Sequence, residues 1–257
     1  MRLHFQLQGD GHPLIILHGF LGSSDNWRAM SKRLAALYKV YCVDLRNHGQ
    51  SPHSNVMNYP IMAEDLREFI EEHGLGPSFV LGHSMGGKVA IQFAAQYPGM
   101  VDKLIAVDIA PKAYPPTQKS LLAALRGLNL PAFKIFGDID SVLSSAIPEQ
   151  ATRQFLMKNL TRDGDHGFRW RIPLDAIMNN YDELTRAVIV GQPFNKPVCF
   201  IRGGRSNFLE DSDLPSIRAC FPQAQFNTIA GAGHWVHIDA PVEFSKIVVD
   251  FLNPPSS

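Results

Sequence analysis

The chain has 257 residues, and its 24 Lys and Arg balance 24 Asp and Glu, leaving no basic excess for a nucleic acid or an anionic membrane surface. With 45% apolar residues it is too apolar for a disordered chain, and with 20 Gly and 18 Pro it is not of low complexity. A chain of this length buries about three-quarters of its unfolded surface in one domain and needs no staples; Cys42, Cys199 and Cys220 are odd in number and far apart, as core thiols in a reducing compartment are.

The start, Met1-Arg2-Leu3-His4-Phe5, has no apolar leader, and no apolar run approaches the length of a membrane-spanning helix. The expectation is a cytoplasmic protein with no membrane contact. Leu14-Ile15-Ile16-Leu17 reads as a buried strand, followed by a helical segment near Trp27–Leu37 and a second run, Val40-Tyr41-Cys42-Val43. A helical pattern at Ile61–His73 precedes Ser78-Phe79-Val80-Leu81, and Leu104-Ile105-Ala106-Val107 forms the next run. Val198-Cys199-Phe200-Ile201 and Ala224–Ile229 complete the series. Continuous apolar runs predict strands buried on both faces, and their alternation with helices predicts a mostly parallel, doubly wound α/β sheet. Between Pro111 and Pro197 the rhythm changes to helical segments punctuated by Pro and Gly, with no comparable strand run. The predicted organisation is therefore a core of residues 1–110 and 198–257, with a helical cap of residues 111–197 inserted before the penultimate strand.

Gly82-His83-Ser84-Met85-Gly86 fits G-x-S-x-G between a strand run and a helical pattern. A sharp strand-to-helix turn needs small neighbours, and it exposes the serine hydroxyl beside the free N–H groups of a helix start. His18-Gly19-Phe20-Leu21-Gly22, after the first strand run, can aim a backbone N–H at the same place, so Phe20 and Met85 are the candidate oxyanion-hole donors. Gly231-Ala232-Gly233-His234-Trp235 follows the last strand run and places His234 late in the chain, in the order serine, acid, histidine. His237, His83 and His18 are rival histidines.

These motifs resemble those of the α/β-hydrolase-fold superfamily over nearly the whole chain, including Asp44-Leu45-Arg46-Asn47-His48-Gly49-Gln50-Ser51. Met57-Asn58-Tyr59-Pro60, Asp108-Ile109-Ala110-Pro111 and Ala230–His237 make the resemblance closest to the YbfF-like bacterial esterases. At the superfamily's usual acid position, after Gly203-Gly204, this chain has Asn207, which cannot neutralise an imidazolium. Asp108, 24 residues beyond Ser84 at the end of the neighbouring strand, is the expected acid, with Glu210, Asp211 and Asp213 as rivals. Ser206 is a candidate for a hydroxyl that bonds to Asp108 or His234. Trp235 and Tyr114 are candidate pocket residues.

The resemblance implies a serine carboxylesterase that uses Ser84, His234 and Asp108, needs no metal or organic cofactor, and takes a small-molecule acyl ester or thioester of short to medium chain length. A carbon–carbon bond hydrolase of the same fold and a non-enzymatic ligand receptor remain the alternatives. Oligomeric state is left open.

Overall fold

The computed structural model describes residues 1–164 and 166–253. The core begins with strands β1 (Phe5–Gln8) and β2 (Pro13–Leu17), helix α1 (Arg28–Leu34), strand β3 (Lys39–Val43) and helix α2 (Tyr59–Glu72). Strand β4 (Ser78–His83), helix α3 (Met85–Gln96) and strand β5 (Val101–Val107) follow. Between β5 and the return to the sheet lie helices α4 (Lys119–Arg126), α5 (Phe136–Leu143) and α6 (Gln150–Met157), strands β6 (Leu160–Arg162) and β7 (Phe168–Trp170), and helices α7 (Leu174–Asn179) and α8 (Tyr181–Thr185). Strand β8 (Val198–Gly203), helix α9 (Leu214–Cys220), strand β9 (Ala224–Ile229) and helices α10 (Val236–Asp239) and α11 (Pro241–Leu252) complete the described chain.

The main sheet has the order β1-β3-β2-β4-β5-β8-β9. β1 is antiparallel to β3, and the remaining pairs are parallel. Each predicted apolar run falls within one of the parallel strands. β1 gave no such run: Phe5-Gln6-Leu7-Gln8 alternates because it is a half-exposed edge strand. Within the apolar runs, successive side chains still go to opposite faces. Leu14 and Ile16 join a core layer with Trp27, Leu34, Phe244 and Val248, under α1 and α11. Ile15 and Leu17 join the larger layer with Leu66, Phe69, Val89 and Phe93, under α2 and α3.

The chain leaves β2 to form β3 on one side and returns to form β4 on the other. The carboxyl ends of β2 and β4 therefore flank the point where the winding reverses, the place where open α/β sheets form ligand crevices. The loop of Phe20 follows β2, and Ser84 follows β4.

The segment between β5 and β8 is not purely helical. Where the sequence reads as helical throughout, α6 ends at Met157, and Leu160–Arg162 pairs antiparallel with Phe168–Trp170. Strands of three residues are too short to declare a period in the sequence. This segment is tied to the core at its base. Tyr59 donates to the Leu184 carbonyl (2.6 Å), Tyr114 N–H donates to Thr185 O and Val188 N–H to Pro111 O (both 2.8 Å), and the Lys88 ammonium donates to Arg186 O. Asn159 also donates to Leu21 O (2.8 Å), joining the cap to the loop after β2. Residues 254–257 of the expected second core segment lie outside the described residues.

A buried charge pair joins the loop after β3 to α2. Arg46 donates through Nε (2.6 Å) and Nη2 (2.7 Å) to the two oxygens of Asp65, and through Nη1 to Val56 O (2.8 Å). Both side chains are almost fully buried. Removing Arg46 leaves the buried Asp65 carboxylate with the N-terminal ammonium of Met1, 3.3 Å away, as its remaining charged partner, so Arg46→Ala should lower the unfolding free energy by about 3 kcal/mol. Chemical denaturation measures this, and a loss below about 1 kcal/mol would contradict a buried, desolvated pair.

Candidate active site

Ser84 stands between the last residue of β4 and the first of α3, at φ 53° and ψ −119°. A non-glycine residue rarely holds such a backbone, and the neighbours show why it is kept here. A Cβ at Gly82 would lie 2.1 Å from Gly86 O, and one at Gly86 would lie 2.5 Å from the carbonyls of Leu17 and His18. The turn closes only because both positions lack side chains. Met85 opens α3, so its N–H is one of the donors that the helix leaves free. Among the described residues the Phe20 N–H also has no acceptor. The Gly19 backbone beside it passes close enough that a Cβ there would lie 3.4 Å from Ser84 Cβ and 2.8 Å from His83 Nδ1.

Asp108 follows β5, also at positive φ (50°), and its carboxylate is completely buried. Three donors converge on it: Gly203 N–H on Oδ1 (3.0 Å), the Ser206 hydroxyl on Oδ2, and His234 Nδ1 at 2.6 Å from Oδ2. With Nδ1 engaged, Nε2 is the free nitrogen of the His234 imidazole. Phe208 stacks on this ring (centroids 4.0 Å apart, 24° between planes), and His83 lies on another side at 4.7 Å. His83 Nε2 donates to the backbone carbonyl of His234 (2.8 Å), fixing the start of the loop from below. Burial first, and then the neighbouring histidines, hold His83 far below its usual range, so it stays neutral.

Ser84 and His234 line one cavity of about 290 Å³ with Phe20, Leu121, Phe155 and Trp235. Trp235 packs against Phe155 of the cap, with ring centroids 5.3 Å apart. Tyr114 does not line this cavity, against expectation. Its hydroxyl donates to Phe208 O (2.5 Å) and accepts from Ala110 N–H (2.8 Å), so it fixes the loop that carries the ring stacked on His234. Phe208 itself was not foreseen, because a lone Phe in a polar loop carries no motif. Asn207 is exposed. The rival acids are engaged elsewhere: Asp211 pairs with Arg202 (2.6 Å), and Asp213 pairs with Lys112 and accepts from Glu210 N–H. Among the described residues no group of three or more His, Cys, Asp and Glu side chains is arranged to hold a metal, and no helix is long and apolar enough to cross a membrane.

The other histidines of this region are built into the backbone. His18 Nε2 accepts from Leu45 N–H (3.0 Å) and His48 Nε2 accepts from Leu21 N–H (3.1 Å). Their Nδ1 atoms lie 2.8 Å from Gly19 O and 3.0 Å from Arg46 O, which makes each ring a neutral donor–acceptor clamp.

The sequence profile of the α/β-hydrolase fold matches residues 12–241 of the chain. The chain belongs to the α/β-hydrolase family. Among curated relatives it is 37% identical to the mouse sn-1-specific diacylglycerol lipase ABHD11 (Mus musculus), over 96% of this chain and 83% of that one. It is 32% identical to esterase YbfF of Escherichia coli K12, over 96% of both chains. A solved structure described as a marine microorganism esterase superposes with a TM-score of 0.94 at 40% identity, covering 97% of this chain and 98% of that one.

The neutral histidines give the hydrolase a definite acid sensitivity. His48 and His237 are pushed down to about 3 by burial and then by neighbouring histidines, His83 is lowered from the same causes, and burial lowers His18 against the opposing pull of Asp44. Between pH 6.5 and about 3 the unfolded chain binds protons that the folded chain refuses, so stability falls as pH falls through this window. Unfolding at pH 4.5 should take up several protons, seen as a steep decrease of Tm from pH 7 to 4.5 in a calorimeter. A Tm unchanged over that interval would show that these rings are not held neutral.

Proposed function

We propose that the chain is a serine esterase that works through an acyl-enzyme, with Ser84 as nucleophile, His234 as general base and acid, and Asp108 as the orienting carboxylate. The observation that carries this reading is the 2.6 Å contact of the buried Asp108 carboxylate with His234, which lines the same cavity as Ser84. The relatives named as esterases and lipases support the ester as substrate class.

The roles follow from the geometry. Asp108 holds the proton of His234 on Nδ1, which leaves the Nε2 lone pair for the Ser84 hydroxyl. Ser84 Oγ attacks the ester carbonyl while its proton moves to His234 Nε2. The oxyanion is met by the N–H groups of Phe20 and Met85, which are preorganised because neither has another partner to release. His234 returns the proton to the departing alcohol oxygen, leaving an acyl-Ser84 ester. Water, deprotonated by His234, then attacks this ester and frees the acid. Asp108 stays ionised throughout and stabilises the imidazolium; the Ser206 hydroxyl and Gly203 N–H hold its carboxylate in place. A cavity of about 290 Å³ lies at the small end of ligand pockets and suits acyl groups of short to medium length. Acyl thioesters undergo the same two steps.

The test is hydrolysis of p-nitrophenyl esters from acetate to laurate. The wild type should turn over with an optimum at short or medium chain length, and Ser84→Ala should be inactive while retaining the wild-type Tm. Asp108→Asn should lower kcat by about 10⁴, because the amide fixes the wrong tautomer of His234. Asp211→Asn, which only removes a surface pair with Arg202, should stay within twofold of the wild type. Equal rates for wild type and Ser84→Ala would overturn the reading.

A further inference from the structure

His237 is 6% exposed and forms part of the cavity wall. Its ring lies flat on Trp27 (centroids 4.0 Å apart, 9° between planes) and meets His83 edge-on at 5.2 Å. His83 immediately precedes Ser84, so the ring stands one side chain away from the reacting centre. Three other buried histidines, His18, His48 and His83, all have hydrogen-bonded ring nitrogens. His237 is different: Nδ1 is completely buried with no partner, and no hydrogen bond to the ring occurs among the described residues. Nε2 is then the nitrogen open to the cavity.

Burial first, and then the neighbouring His234, keep the imidazole neutral, with a pKa of about 3, so it carries one N–H. On Nδ1 that proton would be a buried donor with no acceptor, the costlier arrangement. On Nε2 it faces the cavity. The stack on Trp27 fixes the ring plane and therefore the direction of the donor. A flat, rigid, partnerless donor in a small cavity is a recognition group.

We propose that His237 binds a second oxygen of the substrate: its Nε2–H donates to an uncharged ether, carbonyl or hydroxyl oxygen placed on an arm of the ester whose reacting carbonyl lies at Ser84. The inference rests on the esterase reading and narrows its substrate class to oxygenated esters. An uncharged oxygen fits better than a carboxylate. Among the described lining residues the one permanently charged side chain is Lys158, beyond the end of cap helix α6. An anion at His237 would be desolvated without a counter-charge.

Two isosteric pairs test this, one for each arm. The acyl pair is p-nitrophenyl pentanoate and p-nitrophenyl β-methoxypropanoate; the alcohol pair is butyl butanoate and methoxyethyl butanoate. Each replaces one methylene by oxygen. The ratio of kcat/KM within each pair, ether over alkane, is divided by the same ratio for hydroxide-catalysed hydrolysis, which removes the inductive effect of the oxygen. The wild type should exceed the hydroxide ratio by about fivefold or more in one pair. His237→Phe, which keeps the stack on Trp27 but has no donor, should return that ratio to the hydroxide value, and His237→Gln, which carries an amide N–H near the Nε2 position, should restore most of it. Wild-type ratios equal to the hydroxide ratios in both pairs would overturn the proposal and leave the donor to water; this outcome needs no variant. An unchanged preference in His237→Phe would also overturn it. Failure of the wild type to hydrolyse any of the four esters would overturn the esterase reading itself, and this inference with it.

Discussion

The turn at Ser84 is the constraint around which the site is organised. A strand buried on both faces must become a helix within one residue, so that residue, Ser84, takes a positive φ and the positions two before and two after it, Gly82 and Gly86, must be glycine. The approach of Gly86 to the carbonyls of Leu17 and His18 packs the start of α3 directly against the end of β2. That contact brings the loop of Phe20 beside Ser84. Reversal of the winding between β2 and β4 makes them neighbours in the sheet, although they lie far apart in the chain.

Electrostatics around the turn are divided between one carboxylate and a set of neutral rings. Asp108 is completely buried and is satisfied by three donors, so its charge is held in place and directed to His234. His18, His48 and His83 surround the site without adding charge. Each serves as a rigid link between backbone segments, where an apolar residue would leave N–H or carbonyl groups unpaired. The buried Asp108 carboxylate faces His234 and not these neutral rings. The arrangement ties the integrity of the site to a pH at which the rings stay deprotonated.

The cap encloses the cavity through a few contacts. Phe155 meets Trp235, Asn159 holds the loop after β2, and the base of the cap is pinned by Tyr59, Tyr114 and Lys88. Lys88 is buried between the rings of Tyr59 and Tyr114, each centroid 5.0 Å away, and burial lowers its pKa to about 8. Ser84 immediately precedes α3, and Lys88, four residues later on that helix, anchors the cap. The two ends of the cavity wall share one support.

The sequence by itself determined the strand–helix order, the α/β-hydrolase class and the Ser84 turn, because these rest on local signals. Apolar runs mark buried strands, and glycines flank a serine where a backbone must fold sharply. Residues joined through long-range packing were only partly legible. The contact of Asp108 with His234 depends on the order β5-β8-β9, which brings the loops after β5 and β9 together across the end of β8; Asn207 at the usual acid position points to an acid elsewhere but does not record that order. The β6–β7 hairpin was hidden because three-residue strands have no readable period. Tertiary structure alone decided that Tyr114 holds the Phe208 loop and does not line the cavity, that Phe208 stacks on His234, and that His237 lies flat on Trp27 with no hydrogen-bond partner. The physical reason is the same in each case: a side chain's partner across the fold is set by how elements distant in sequence are stacked, and no periodicity or spacing along the chain records that distance.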